Sequence, residues 1–296
     1  MLLAIAQQLG AQSADVIWDD SLHVYERKLV VVGDSLLHSK SQFTRQESAK
    51  QLIRWFRHAL LLPGSYSYPF DSLTYMSKLR PSDNAFRLFS WVLCLDGNRF
   101  RYFGVIHMNT PAGDIIHPLF DRSVDELPQA KDGLADSVPQ MANLVYDNNN
   151  WQGMLYFKMG WVHKKSGFLG LKKSKYYMLL GWDGNNNISH KKIVDVLYFD
   201  GEIPVFGAPI IALEDGSVVN RMILEYNAQA VVTLKWHEGQ GAISFDDLVP
   251  PNAKNEGDYF TYIPSGRYNY LHWNKRVWTF KKDVFDTLDK ELMEAQ

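Results

Sequence analysis

A single cysteine, Cys94, stands in 296 residues. No intrachain disulfide can form, and zinc sites built from several cysteines are excluded. A chain of this length needs no such staples to bury a core. Cys94 sits in an apolar alternating run, which predicts a buried core thiol. An excess of positive charge is also missing. The 31 Lys and Arg face 33 Asp and Glu, a formal charge of −2, whereas binding to a phosphate backbone draws on a basic surplus. Nucleic acid is therefore not an expected partner. No apolar run approaches the roughly 18 residues of a membrane-spanning helix, so no transmembrane segment is expected. The G-x-S-x-G elbow, the H-E-x-x-H helix and the Walker and dinucleotide glycine patterns are absent. Their absence weighs against an enzyme without excluding one, because the two carboxylates of glycoside hydrolysis leave no local spacing to read.

Aromatic residues are plentiful: 16 Phe, 15 Tyr and 9 Trp make up 14% of the chain. Large flat side chains favour strands. With 46% hydrophobic and 22% charged residues the composition is globular, and its length allows one large domain or two smaller ones.

The beginning, Met1 to Gln7, is apolar and ends in Ala4-x-Ala6, with a second small-residue site at Ala11-Gln12-Ser13. This resembles the tail of a secretory signal whose charged segment would lie upstream of Met1. The alternative is an amphipathic N-terminus of a cytosolic protein. From Ser21, residues Leu22, Tyr25, Leu29, Val32 and Leu36 step by three and four, one stripe of a helix. Thr44-x-x-Glu47 then reads as a capping box, followed by Ala49, Leu52, Ile53, Phe56 and Leu60 as a second buried stripe that Pro63-Gly64 stops. Two such helices joined by a few polar residues predict an antiparallel helical hairpin.

After Pro81 the period becomes alternating. Asp96-Gly97-Asn98, Asp183-Gly184, Asp200-Gly201, Asp215-Gly216, Gly239-Gln240-Gly241, Ser265-Gly266 and Asn274-Lys275 punctuate the runs as turns, giving roughly ten to thirteen strands. Residues 111–150, with four prolines and an acidic stretch, form a long excursion from the pattern. Val284, Leu288 and Leu292 predict a terminal helix.

Several segments carry a resemblance. They are Lys78 to Arg87, Gly181 to Asn186 with Lys191 to Leu197, Pro204 to Pro209, Glu225 to Ala230, Phe245 to Pro250, and Trp278. Together they resemble a group of uncharacterised exported proteins of Bacteroidetes along most of the chain. The resemblance implies export and supplies no catalytic residues. This chain departs from that group in starting without a full signal peptide.

Among residues that could carry chemistry, Lys164, Lys165, Lys172, Lys173 and Lys175 flank Phe168, Leu169 and Leu171 at a glycine-bearing hairpin tip. It reads either as a solvated loop or as a docking loop for an anionic membrane or a partner groove. Asp183, Asn185 and Asn187, with Ser189, alternate as calcium ligands do, although Ile188 and Val194 stand where an EF-hand needs Gly and Glu. The alternatives are a single-turn calcium site, calcium being the sole cofactor considered, and a polar turn. His163, His237 and His272 would form a metal site only if the fold gathered them. Asp246-Asp247 is the densest acidic pair of the β region, expected at a hairpin turn or sheet edge. Trp151, Trp161, Trp182, Trp236, Trp273 and Trp278 belong to strands and are mostly core, one or two being candidates for stacking on sugars.

The expected fold is α+β, an N-terminal helical hairpin packed on a large antiparallel sheet, sandwich or open barrel. The expected division is 1–13 signal remnant or disordered, 14–80 helical hairpin, 81–282 antiparallel β region, and 283–296 terminal helix or tail. The expected function is that of an exported, non-catalytic envelope or surface protein, in the periplasm or at the cell surface, with an envelope, glycan or protein partner. A hydrolase acting on glycans through two strand-borne carboxylates, and a docking scaffold using 164–175, are the alternatives. Composition leaves the oligomeric state open.

Overall fold

The computed structural model describes residues 20–122, 141–166 and 172–282; the segments 1–13 and 283–296 lie outside them. Helix α1 (Asp20–His38) buries Leu22, Leu29 and Leu36, with Tyr25 and Val32 packed beside them. Helix α2 (Gln42–Leu60) buries Ala49, Leu52, Phe56 and Leu60. Two details of α2 correct the sequence reading. Its cap is Ser41, whose hydroxyl accepts the Thr44 N–H, while Glu47 pairs with Lys50 at 2.7 Å. The interhelix turn closes at Ser39, whose carbonyl accepts from Arg45 at 2.8 Å, so the helix starts as soon as a capping oxygen is available. Ile53 is 39% exposed, because one residue past Leu52 is a rotation of about 100° away from the core face.

The first sheet is β1 (Ser77–Leu79), β2 (Arg87–Leu95), β3 (Arg99–Thr110) and β4 (Gly113–Phe120), antiparallel in sequence order. Gly97 and Asn98 take positive φ in the turn that joins β2 to β3, as Asp-Gly-Asn predicts. Strand β4 lies inside the stretch expected to be an excursion. It carries Pro118, which an edge strand tolerates because its free side needs no N–H.

The second sheet holds β5 (Tyr146–Asp147), β6 (Leu155–Ser166), β7 (Lys172–Asp183), β8 (Ser189–Asp200) and β9 (Ile203–Phe206), ordered β5-β9-β8-β7-β6. The third begins with β10 (Ile211–Ala212) and β11 (Val218–Val219). Next, β12 (Met222–Asn227) pairs with β8 in the second sheet. Strands β13 (Leu234–His237), β14 (Ala242–Val249), β15 (Ile263–Trp273) and β16 (Trp278–Lys281) complete the third, ordered β11-β10-β16-β15-β14-β13. Between these strands every pairing is antiparallel except β10 with β16. The strands among the described residues outnumber the ten to thirteen expected, the surplus being pieces of two to four residues too short to show a period. Ser265-Gly266 does not separate strands. It forms an irregularity inside β15, where Gly266 has φ 88° and the register against β14 shifts.

These elements stack as four layers. The helices cover the face of the first sheet that carries Phe89, Trp91, Leu93 and Val105. Its other face, with Leu88, Tyr102 and Ile106, meets Tyr177, Leu179, Ile193 and Leu197 of the second sheet. The remaining face of the second sheet, with Met178, Leu180, Val194 and Val196, meets Ile243, Phe245, Leu271 and Trp278 of the third. A sheet covered on both faces reads as continuous apolar runs, and Tyr176 to Leu180 is one. The protein is therefore α+β, helices on a stack of largely antiparallel sheets.

Cys94 is exposed, against the expectation of a core thiol. It shares a strand face with Leu88 and Val92, but it comes last in that series, at the open end of β2. Partial burial pushes its thiol pKa up, with Arg45 opposing. An uncharged maleimide is expected to label the native protein with one equivalent, faster as pH rises. Labelling that required denaturant would contradict this placement.

Candidate functional site

Among the described residues, helix α2 lies over β2 and leaves part of β3 and β4 uncovered on the same face. The result is a groove of about 570 Å³. Its helix wall is Ile53, Phe56, Arg57, Leu60 and Leu61; its floor is Trp91 with Phe103, Val105, Ile116, Pro118 and Phe120. Register explains the floor: Phe103 pairs with Phe120 and Val105 with Pro118, so alternate residues of two strands form one apolar surface. Trp91 stacks on Phe103 at 5.7 Å.

Five charged residues border this surface, and three are engaged. Asp114 is hydrogen-bonded to His107 Nε2 at 3.1 Å and accepts from Asn109 Nδ2 at 2.5 Å. Asp121 is buried and accepts the Tyr102 N–H at 2.8 Å. Arg122 donates to the Asn149 carbonyl at 3.1 Å. Arg57 and half-buried Arg101 have no hydrogen bond or ion pair among the described residues.

Burial pushes His107 below the usual imidazole pKa, with the Asp114 hydrogen bond opposing and the Arg87 and Arg80 charges adding to the shift. Burial shifts His117 and His190 in the same direction. The unfolded chain therefore binds protons on these rings at a higher pH than the folded one. Stability is full above the free-histidine value of about 6.5 and falls as pH drops through the folded values. The expected result is a melting temperature that declines as pH falls below the free-histidine value of about 6.5, with net proton uptake on unfolding in calorimetry. A flat profile would contradict it.

A second polar constellation is sealed between the first two sheets. Asp195 and Arg221 pair at 3.1 Å, and Tyr156 donates to Asp195 at 2.9 Å. Asp183 accepts the Tyr102 hydroxyl at 3.0 Å; burial raises its pKa, and the Lys191 charge opposes this. Lys191 is buried, with the Met141 sulfur at 3.8 Å. Sequence reading missed Asp195 as a partner-seeking group. Its signal is a carboxylate inside the apolar run Val194-Asp195-Val196.

The residues singled out from sequence fare differently. Strands β6 and β7 run to Ser166 and Lys172, placing Lys164 opposite Ser174 and Lys165 opposite Lys173. The strands thus extend three or four residues beyond the expected ends at His163 and Tyr176. Phe168, Leu169 and Leu171 lie outside the described residues. Lys165 N–H donates to the Lys275 carbonyl at 2.9 Å, and Lys175 forms an ion pair with Asp83 beside Trp161, so this lysine is a tie between sheets. In the Asp183 loop, Asn185 accepts a positive φ of 47° and donates to Ser189 at 2.7 Å, while Asn187 is exposed. His237 and His272 flank Ala242 in the third sheet, whereas His163 is in the second. Among the described residues no group of three His, Cys, Asp or Glu is placed to hold a metal.

Asp246 and Asp247 sit inside β14 and not at a hairpin turn, just past the last pairing with β13 (Leu234 with Phe245) and at the register shift against β15. Asp246 accepts from Thr233 N–H at 2.5 Å, and Asp247 from Ser265 and Asn269, each at 2.9 Å. Donors from neighbouring segments make that interior position tolerable. Trp151 and Trp278 are fully buried; Trp161, Trp182, Trp236 and Trp273 are half-buried. Among the described residues no helix is long and apolar enough to cross a membrane. Comparisons with protein families, with curated proteins and with solved structures find no match to this chain.

Proposed function

We propose that this is an exported envelope or surface protein that binds its ligand without transforming it, and that the groove between α2 and β3–β4 is the binding site. The carrying observation is the groove itself. A volume of about 570 Å³ with a largely apolar floor bordered by charged residues has the character of a small-molecule site. Its two carboxylates are poorly placed for hydrolysis. Asp114 and Asp121 stand seven residues apart along one extended segment, about 23 Å at 3.3 Å per residue, against about 5–10 Å between the acids of a glycosidase. The Ala4-x-Ala6 ending and the resemblance to exported proteins support the location.

The test is fluorescence titration with N-phenyl-1-naphthylamine, a neutral apolar probe. Binding with a micromolar Kd is expected, weakened at least about tenfold by Ile53→Asp or Phe120→Asp, since each sets a charge in the apolar lining. Both side chains are partly exposed, at 39% and 50%, so the variants should keep the wild-type melting temperature within a few degrees. Absence of probe binding, or binding unchanged in both variants, would refute the groove as the site.

A further inference from the structure

We infer that the groove receives a single-chain amphiphile with a carboxylate head, a long-chain fatty acid, its head on Arg101 and its tail along the floor; this rests on the groove reading above. The argument begins with charge. Arg101 is half-buried in β3 and lines the groove. A guanidinium partly withdrawn from water loses hydration, and a carboxylate returns it through two parallel hydrogen bonds. Among the described residues no carboxylate pairs with it. Asp114 is engaged by His107 and Asn109 and Asp121 by the Tyr102 N–H, and neither acid lies in ion-pair range of Arg101 or Arg57. Arg57, one helical turn beyond Ile53 on the helix wall, adds a second cation without a partner among the described residues.

Shape supplies the rest. Arg101, Phe103 and Val105 follow one another on one face of β3, and on β4 Phe120 pairs with Phe103, Pro118 with Val105 and Ile116 with His107. From the level of Arg101 to that of Ile116, which pairs with His107, is six residues, about 20 Å at 3.3 Å per residue. Such a surface, long and apolar with a cation at one end, fits a linear chain better than a compact ring. Asp114 lies beyond Ile116, toward the opposite end, and disfavours an anionic head there, whereas Asp121 at the Arg101 end is buried and engaged by the Tyr102 N–H.

The experiment displaces N-phenyl-1-naphthylamine from the full chain with laurate, dodecanol and dodecyltrimethylammonium, each below its micelle-forming concentration. Laurate is expected to displace the probe at a concentration at least about tenfold lower than the cationic amphiphile, with dodecanol between them. Arg101→Gln should lower the laurate affinity at least about tenfold relative to that of dodecanol, and Arg101→Lys should restore part of it. Added salt should weaken laurate and not the probe. If the probe binds but the three amphiphiles displace it equally, the carboxylate inference is overturned and the groove reading stands. If the preference survives Arg101→Gln, the head-group site assigned to Arg101 is wrong. If the probe does not bind, both readings fall together.

Discussion

Arg221→Met is expected to lower the unfolding free energy by about 3–5 kcal/mol, the cost of removing one partner of a buried ion pair. The side chains of Arg221 and Asp195 are 0% and 1% exposed, and Arg221 Nε meets Asp195 Oδ1 at 3.1 Å. The guanidinium also donates to the carbonyls of Met141 at 2.9 Å, Leu144 at 2.8 Å and Phe206 at 3.3 Å, and it lies 4.6 Å from the Tyr146 ring centroid. Met141 and Leu144 belong to no strand, so the arginine satisfies carbonyls that no ladder reaches. Truncation removes the shorter hydrogen bonds to these carbonyls and leaves a buried carboxylate without its cation. Burial pushes the Tyr156 hydroxyl far above its ordinary pKa, so it remains a donor to Asp195 but does not replace the lost positive charge. The double variant Arg221→Met with Asp195→Leu should lose less than the sum of the single changes, because the orphaned charge disappears with its partner. Denaturant midpoints check both statements. A loss below about 1 kcal/mol for Arg221→Met would show that the pair does not clamp the core.

Phe56→Ala is expected to cost about 3–5 kcal/mol, the range for deleting a buried aromatic ring. Phe56 is buried, and its ring meets Phe70, Phe89 and Trp91 edge-on at centroid distances of 5.5, 5.0 and 5.9 Å. Those contacts join α2 to the first sheet, so their loss loosens two layers at once. Phe56→Leu, which keeps most of the volume, should cost less than half as much. An unchanged midpoint for Phe56→Ala would mean that the helices do not share a core with the sheet.

Much of this fold is legible in the order of residues. The three-and-four stepping of Leu22, Tyr25, Leu29, Val32 and Leu36 marks a helix because a helix repeats every 3.6 residues, and the burial of the three leucines agrees. Asp96-Gly97-Asn98, Asp200-Gly201 and Asp215-Gly216 mark turns because glycine and asparagine accept positive φ, which Gly97, Asn98, Gly201 and Gly216 adopt. Ser265-Gly266 shows the limit of that signal, since the same backbone freedom serves an irregularity within one strand. At the groove, the sequence offers Ile53 as a core residue and gives no reason to notice Arg57, Arg101 or Phe120.

Local period and turn chemistry thus determined the two helices, the hairpins and the α+β class, because each depends on residues a few positions apart. Tertiary structure alone decided which face of each strand is covered. Alternation assigns Cys94 to the same face as Leu88 but cannot say where the covering sheet ends. It also brought Asp195 to Arg221 across 26 positions, and set α2 over β2 while leaving β3 and β4 open beside Arg101. The physical reason is that burial is a relation between surfaces. The residue supplies its own surface, and the distant segment that covers it, or leaves it to a ligand, is chosen only when the layers pack.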